Sequence, residues 1–297
     1  MKSQPTSSLS ILLLLTVLGS TLLFALPSVF ANPVCGATIT ANTTLTGNMG
    51  PCSGDGLNIG KNGITLDCAG HSVSGPGTYV GIVLSGVTKV TVKNCKVTGF
   101  GFAFSLLFAS SNTLAGNTAN KNTGYGFALE ASSGNILTKN TANSNKDDGF
   151  LLEDSSNTNK LTGNTANSNN IGFELDSSSD MNTLTGNTAN KNTDDGFYLD
   201  SSSSNTLTKN TADNNVYGFV LSSSCNTNKL TTNTANKNGF YGYYDGSTSS
   251  SAGVPHWDTA NSYGTTFAKL STTGDKGTGN GQLAGGNSNI GTATSPF

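Results

Sequence analysis

Leu184-Thr185-Gly186-Asn187-Thr188-Ala189-Asn190-Lys191-Asn192-Thr193-Asp194-Asp195-Gly196-Phe197-Tyr198-Leu199 is one copy of a pattern that recurs along most of the chain. Asn-Thr-Ala stands at Asn117, Asn140, Asn164, Asn187, Asn210 and Asn233, at spacings of 23, 24, 23, 23 and 23 residues. A leucine lies three residues before each asparagine (Leu114, Leu137, Leu161, Leu184, Leu207, Leu230), and a second asparagine five after it (Asn122, Asn145, Asn169, Asn192, Asn215, Asn238). Glycine plus an aromatic follows, from Gly126-Phe127 to Gly242-Tyr243, with leucine two residues on in five copies (Leu129, Leu152, Leu175, Leu199, Leu221). No segment has the i, i+3, i+4 spacing of a helix, while Phe-x-Leu places both apolar residues on one face of a strand. A short copy cannot bury Leu, Ala, Phe and Leu alone. Stacked copies can, with corresponding side chains forming ladders about 4.8 Å apart.

The expected fold is therefore an all-β, right-handed parallel β-helix with about 23 residues per turn. Asparagines in register would satisfy one another as amide ladders, and asparagine tolerates the left-handed backbone a corner requires. The glycine before each aromatic is read as a turn residue with positive φ. The pattern extends backward: Val90-Thr91-Val92 precedes Cys95 by the asparagine spacing, Ile64-Thr65-Leu66 opens an earlier turn, and Gly81-Ile82-Val83-Leu84 matches the Gly-aromatic-x-Leu segment. Forward it fades, with an irregular turn expected near Thr259–Tyr263.

The ends read differently. Lys2, the apolar stretches Ile11–Leu18 and Leu22–Leu26, Pro27 and small residues at Val29 and Ala31 have the layout of a secretory leader, with a retained N-terminal membrane anchor as the alternative. The expected organisation is a signal peptide at 1–31, a cap at 32–62, the coil at 63–245 and an irregular, Gly/Ser/Thr/Asn-rich tail at 246–297. No later apolar run is long enough to span a bilayer. Loss of Lys2 leaves 14 of 15 basic residues against 17 acids, a formal charge of −3. All the basic residues are lysines, which argues against nucleic-acid or phosphate recognition. A secreted or envelope location is expected, and an oxidising compartment makes disulfides reasonable among Cys35, Cys52, Cys68, Cys95 and Cys225. Cys35 with Cys52 and Cys68 with Cys95 are the pairings considered, although the sequence leaves connectivity open. Cys225 is read as a solitary loop thiol.

Cys35-Gly36-Ala37-Thr38-Ile39-Thr40, Gly54-Asp55-Gly56-Leu57-Asn58-Ile59-Gly60 and Ile64-Thr65-Leu66-Asp67-Cys68-Ala69-Gly70-His71-Ser72-Val73-Ser74-Gly75 together resemble the opening of secreted microbial β-helix repeat proteins. These are grouped with the β-helix domain of the nitrous-oxide-reductase accessory protein NosD and with carbohydrate-binding and sugar-hydrolase β-helices of the pectin-lyase-like fold. The resemblance implies the fold, through scaffold positions that do not define an activity.

Several residues could carry chemistry. Asn192-Thr193-Asp194-Asp195-Gly196 resembles the acidic motifs of polygalacturonase-type hydrolases, and paired carboxylates serve glycoside cleavage. The Gly-His-Gly and Arg-x-Lys motifs of that family are missing, and Asp147-Asp148-Gly149 recurs at the same repeat position, which favours a structural turn. Glu130, Glu153, Asp176 and Asp200 each follow the leucine of Phe-x-Leu and should stack outward as an acidic column. Carboxylates about 5 Å apart repel by about 1 kcal/mol in water, so solvent, salt or a bridging Ca²⁺ would offset them. Thr183-Leu184-Thr185 and Thr206-Leu207-Thr208, with Thr138, Thr162 and Thr231, form a threonine array resembling those of ice-binding solenoids. Ile136, Lys160 and Lys229 interrupt its companion column. Copper, which the NosD resemblance suggests, would need clustered His, Cys or Met, whereas His71, His256, Met49 and Met181 are dispersed. The expected function is non-enzymatic binding of a polysaccharide or cell-surface glycan. The alternative is a polysaccharide lyase or glycoside hydrolase using Asp147, Asp148, Asp194 and Asp195.

Overall fold

The computed structural model describes residues 32–246 and the backbone of 267–269. The expected signal peptide and most of the expected tail, with His256 and Thr259–Tyr263, lie outside the described residues.

Every described strand pairs in parallel with the strand one turn away, giving three sheets that run along the coil. Sheet A has 11 strands, sheet B nine and sheet C five. One turn visits each in order: Tyr125–Glu130 in sheet A, Ile136–Thr138 in sheet B and Thr141–Asn143 in sheet C. The pairing carries Phe127 onto Phe150, Leu137 onto Leu161 and Ala142 onto Ala166, so identical side chains stack. Sheet A begins at Ala37–Ile39, paired with Leu57–Ile59, so the segment expected as a cap at 32–62 already supplies strands to the coil. At the other end, Tyr241–Asp245 pairs with Phe267–Lys269.

The interior is a bundle of ladders. Phe104, Phe127, Phe150, Phe173, Phe197 and Phe219 stack with ring centroids 4.5–4.8 Å apart, and Tyr243 continues the stack at 5.1 Å. The strand spacing sets that distance, because the rings inherit the backbone repeat. The leucines of sheets A and B and the alanines of sheet C fill the rest and are buried. Each buried Phe or Leu contributes about 1.5–3 kcal/mol of apolar transfer energy.

Buried asparagines close the corners. Asn117 Nδ2 donates to Val92 O at 2.9 Å and to Asn140 Oδ1 at 3.1 Å, while the Asn117 amide N–H donates to the same Oδ1 at 2.9 Å. The Asn122–Asn238 column repeats this arrangement at the next corner. A third column, Asn112, Asn135, Asn159, Asn182, Asn205 and Asn228, lies at the turn entering sheet B. The left-handed residue at these corners is the one before the asparagine, such as Lys139 (φ 54°), Lys191 (φ 60°) or Gly186 (φ 63°). Asparagine is therefore selected for its amide rather than for its tolerance of positive φ.

Cys95 does occupy the first asparagine column, since its N–H donates to Asn117 Oδ1 at 3.0 Å. Its sulfur bonds to Cys68 one turn earlier, and Cys35 bonds to Cys52. Cys225 is the free cysteine among the described residues and lies in a loop, as expected. It is buried, with its sulfur 3.2 Å from Leu199 O, and burial pushes its pKa up to about 12. Its neighbours one and two turns back, Ser202 and Ser179, are buried hydroxyls at the same turn.

Candidate functional site

On the outer face of sheet A the repeat is irregular and polar groups from successive turns converge. Its geometry starts at the repeat glycine. Tyr125 N donates back to Gly101 O, whereas Gly126 N and Phe127 N both donate forward, to Asp148 O and Gly149 O, all at 2.9 Å. Two consecutive amides pointing the same way make a kink, so Gly126 and Phe127 both face inward and Tyr125 faces out. A Cβ on Gly126 would lie 2.5 Å from Gly149 O and 2.7 Å from Ala142 Cβ. Gly149, Gly172, Gly196 and Gly218 are equally confined, and none has a positive φ. The glycine permits a close approach of backbones; it does not provide the left-handed turn that the sequence suggested.

Three outward columns result. The first, just before the glycine, contains Phe102, Tyr125, Asp148, Ile171, Asp195, Tyr217 and Tyr241. The second, between the two inward residues, contains Ala128, Leu151, Glu174, Tyr198, Val220 and Tyr244. The third begins with Glu130 paired to Glu153, and Asp176 and Asp200 stand one residue past the paired leucines Leu175 and Leu199. Although they point outward, Asp148, Leu151, Ile171 and Asp195 are each less than 10% exposed. Their neighbours shelter them, and the middle of the face is a recessed strip.

Asp148, on the turn entering the strand Phe150–Glu153, and Glu174 and Asp195, on the next two strands of sheet A, come from three consecutive turns of the coil and form the polar centre of this strip. Burial raises the Asp148 pKa, and the hydrogen bond and charge of Glu174 raise it further. Burial also raises Glu174, but the bond from Asp148 works the other way. Burial and mutual repulsion thus favour one proton shared between the two carboxyls. Asp195 is pushed up to about 8, first by burial and then by Asp194 and Glu174. Its Oδ1 is buried without a hydrogen-bond partner, an arrangement that a carboxyl tolerates more readily protonated than ionised. Glu153 is raised by burial and by Glu130.

Aromatic rings bracket the acids. On one side Phe102 stacks on Tyr125 at 5.1 Å. On the other, Tyr217 stacks on Phe240 at 5.5 Å and on Tyr241 at 6.1 Å, with Tyr244 at 5.9 Å. Tyr125 and Tyr217 are four strand spacings apart, about 19 Å.

The structure thus brings Asp148 and Asp195 onto one face with the acidic column, while Asp147 and Asp194 lie on the turns leading to it, less buried than their partners. It adds Glu174, Tyr125, Tyr198 and Tyr217, which repeat analysis did not single out. Their signal was variability: at the x of Gly-Phe-x-Leu the sequence runs Ala, Leu, Glu, Tyr, Val. Thr138, Thr162, Thr185, Thr208 and Thr231 do align on sheet B, with Ile136, Lys160 and Lys229 in the companion column. Among the described residues no group of three or more His, Cys, Asp or Glu side chains has the arrangement of a metal site. None of the described helical structure is long and apolar enough to cross a membrane.

Two matches to the model of the right-handed β-helix region cover residues 28–189 and 167–254. The chain belongs to that family. No curated protein matches it in sequence. Among solved structures it is similar to the periplasmic alginate epimerase AlgG (TM-score 0.58, 17% identity, 79% of this chain and 64% of that one). It is also similar to the A-module of the Azotobacter vinelandii mannuronan C-5 epimerase AlgE4 (TM-score 0.58, 13% identity, 81% and 84%). A third similar structure is pectate lyase Pel9A (TM-score 0.53, 18% identity, 84% and 72%). The chain spans about three-fifths of the AlgG chains it matches, 59% in one of them. At these identities the likeness shows the fold.

Proposed function

We propose that this protein is exported and binds a carbohydrate chain along the outer face of sheet A. One observation carries the reading: carboxyls from three consecutive turns of the coil lie in a recessed strip between two aromatic clusters. Aromatic rings offer flat apolar surface to the C–H faces of sugar rings, and buried carboxyls offer directed partners for hydroxyls. A strip about 19 Å long between the aromatic clusters suits several sugar units in an extended chain. The structural neighbours named for action on alginate and pectate support carbohydrate as the ligand class. The two disulfides support an oxidising, extracytoplasmic location.

Affinity electrophoresis through gels containing individual polysaccharides tests the reading. The wild-type chain should be retarded by at least one of them, and Tyr125→Ala and Tyr217→Ala should abolish the retardation. Equal retardation of both variants would refute the assignment to this face.

A second reading, glycoside cleavage, is favoured by one feature: Asp148 and Asp195 hold protons well above the usual carboxylate range, as a general acid must. The sequence-level candidates Asp147 and Asp194 flank them. Reducing-end assays across a polysaccharide panel decide between the readings. Turnover abolished by Asp194→Asn and Asp195→Asn would replace binding with catalysis.

A further inference from the structure

Acidic residues gather on the outer face of sheet A and on the turns entering it: Asp148, Glu174 and Asp195, the column Glu130, Glu153, Asp176 and Asp200, and the turn residues Asp147 and Asp194. The sheet A strands between Val80 and Asp245 contain no lysine. Lysines stand instead on sheets B and C, as at Lys93, Lys96, Lys160 and Lys229. The only ion pair found among the described residues, Lys93 with Asp67 at 3.1 Å, is on sheet B. Among the described residues no ion pair ties a lysine to the carboxyls of the strip. Within the strip, Asp195 is 5% exposed and its buried Oδ1 has no hydrogen-bond partner among the described residues. The polar centre is rich in acceptors and short of donors.

We propose that the glycan bound by this face carries free amino groups, a polymer of hexosamine units whose ammonium groups meet Asp195, Glu174 and the acidic column. The inference rests on the carbohydrate reading and narrows it. A protonated amine brings three donors and a positive charge that draws the raised pKa of Asp195 back down, so that the carboxyl meets it ionised. A polyuronate would add negative charge to a face that already repels itself, so the proposed ligand is opposite in charge to the substrates named for the neighbouring folds. The acidic column advances by one carboxylate per strand, about 4.8 Å, so a chain laid along the coil axis meets acids repeatedly. This favours a polymer over a single cation.

Isothermal titration calorimetry on the full chain tests the proposal with four probes of equal length: a β-1,4-linked glucosamine oligomer, its fully N-acetylated counterpart, an oligogalacturonate and an oligolysine. The glucosamine oligomer should bind at least about tenfold more tightly than the acetylated one, a separation of about 1.4 kcal/mol. Its affinity should fall as salt is raised, because ion pairing near a surface is screened. Oligogalacturonate should not bind. Asp195→Asn combined with Glu174→Gln should lower glucosamine affinity by about tenfold. Glu153→Gln with Asp200→Asn tests the charge again at less buried positions, and Thr188→Ala on sheet C should leave binding unchanged. Equal, salt-insensitive binding of both glucosamine oligomers would overturn the amine preference and leave the carbohydrate reading standing. Oligolysine binding as tightly and competing for the face would overturn the proposal in favour of a basic protein partner. Failure of every sugar probe would remove both readings.

Discussion

The outer faces of sheets A and C are built on the same coil, turn for turn, yet they read in opposite ways. On sheet C, Thr118, Thr141, Thr165, Thr188, Thr211 and Thr234 succeed one another without interruption. Beside them the outward asparagine column is self-satisfied, Asn120 Oδ1 accepting from Asn143 N at 2.8 Å and Asn143 Oδ1 from Asn167 N at 2.9 Å. On sheet A the equivalent columns change residue at nearly every turn and gather Asp148, Glu174 and Asp195 between tyrosines. A uniform column satisfies the needs of a uniform backbone. A column that departs from the repeat, and leaves a buried carboxyl oxygen unpartnered, needs an explanation outside the scaffold.

The strongest way to break this contrast is to remove what both faces share. Phe173→Ala takes one ring from the middle of the stack, where it contacts Phe150 at 4.7 Å and Phe197 at 4.8 Å. It should cost about 3–5 kcal/mol in denaturant unfolding and disturb both faces together. Asn164→Ala comes next. It deletes the acceptor of the Asn140 N–H and the donor to Leu137 O, leaving buried groups unpaired at about 1–3 kcal/mol. Urea midpoints would check it; a loss no larger than that of an exposed substitution would mean the ladder is dispensable.

Asp195→Asn separates the faces. The Asp195 carboxyl has a folded pKa of about 8, above its ordinary value of about 3.9. The folded chain therefore keeps a proton that the unfolded chain releases. The stabilising contribution is complete below about pH 4, declines as pH rises through about 8, and is gone beyond it. Melting temperatures of the wild type should fall over that window, and those of Asp195→Asn should fall less. Parallel curves would show that Asp195 ionises normally. The smallest effect is expected for Thr188→Ala on sheet C, within about 0.5 kcal/mol, with glycan retardation unchanged.

Much of the fold was legible because its period is short and its ladders are strict. The Phe-x-Leu pairs, the asparagine columns, the place of Cys95 among them and the acidic column Glu130–Asp200 all follow from counting residues. The reasons for some of those residues were not legible. Repeat glycines read as turn formers proved to be points of close backbone approach, and corner asparagines proved to follow the left-handed residue rather than adopt that conformation. A single sequence shows that a residue recurs. It does not show whether a Cβ would meet space or a carbonyl.

The candidate site was legible only in fragments. Asp148 and Asp195 stood out as pairs with their neighbours Asp147 and Asp194, and the recurrence of those pairs argued for a turn. Glu174, at a variable position, had no partner in sequence. What the sequence by itself determined is the stacking: a repeat of about 23 residues has only one economical way to bury its Phe, Leu and Ala. What only the tertiary structure decided is which irregularities meet. The kink at each glycine turns the preceding residue outward, and the parallel stacking carries Asp148, Glu174 and Asp195 from three consecutive turns into one sheltered strip. Burial there, a property of packing that residue order does not express, makes these carboxyls unlike the exposed acids elsewhere on the chain.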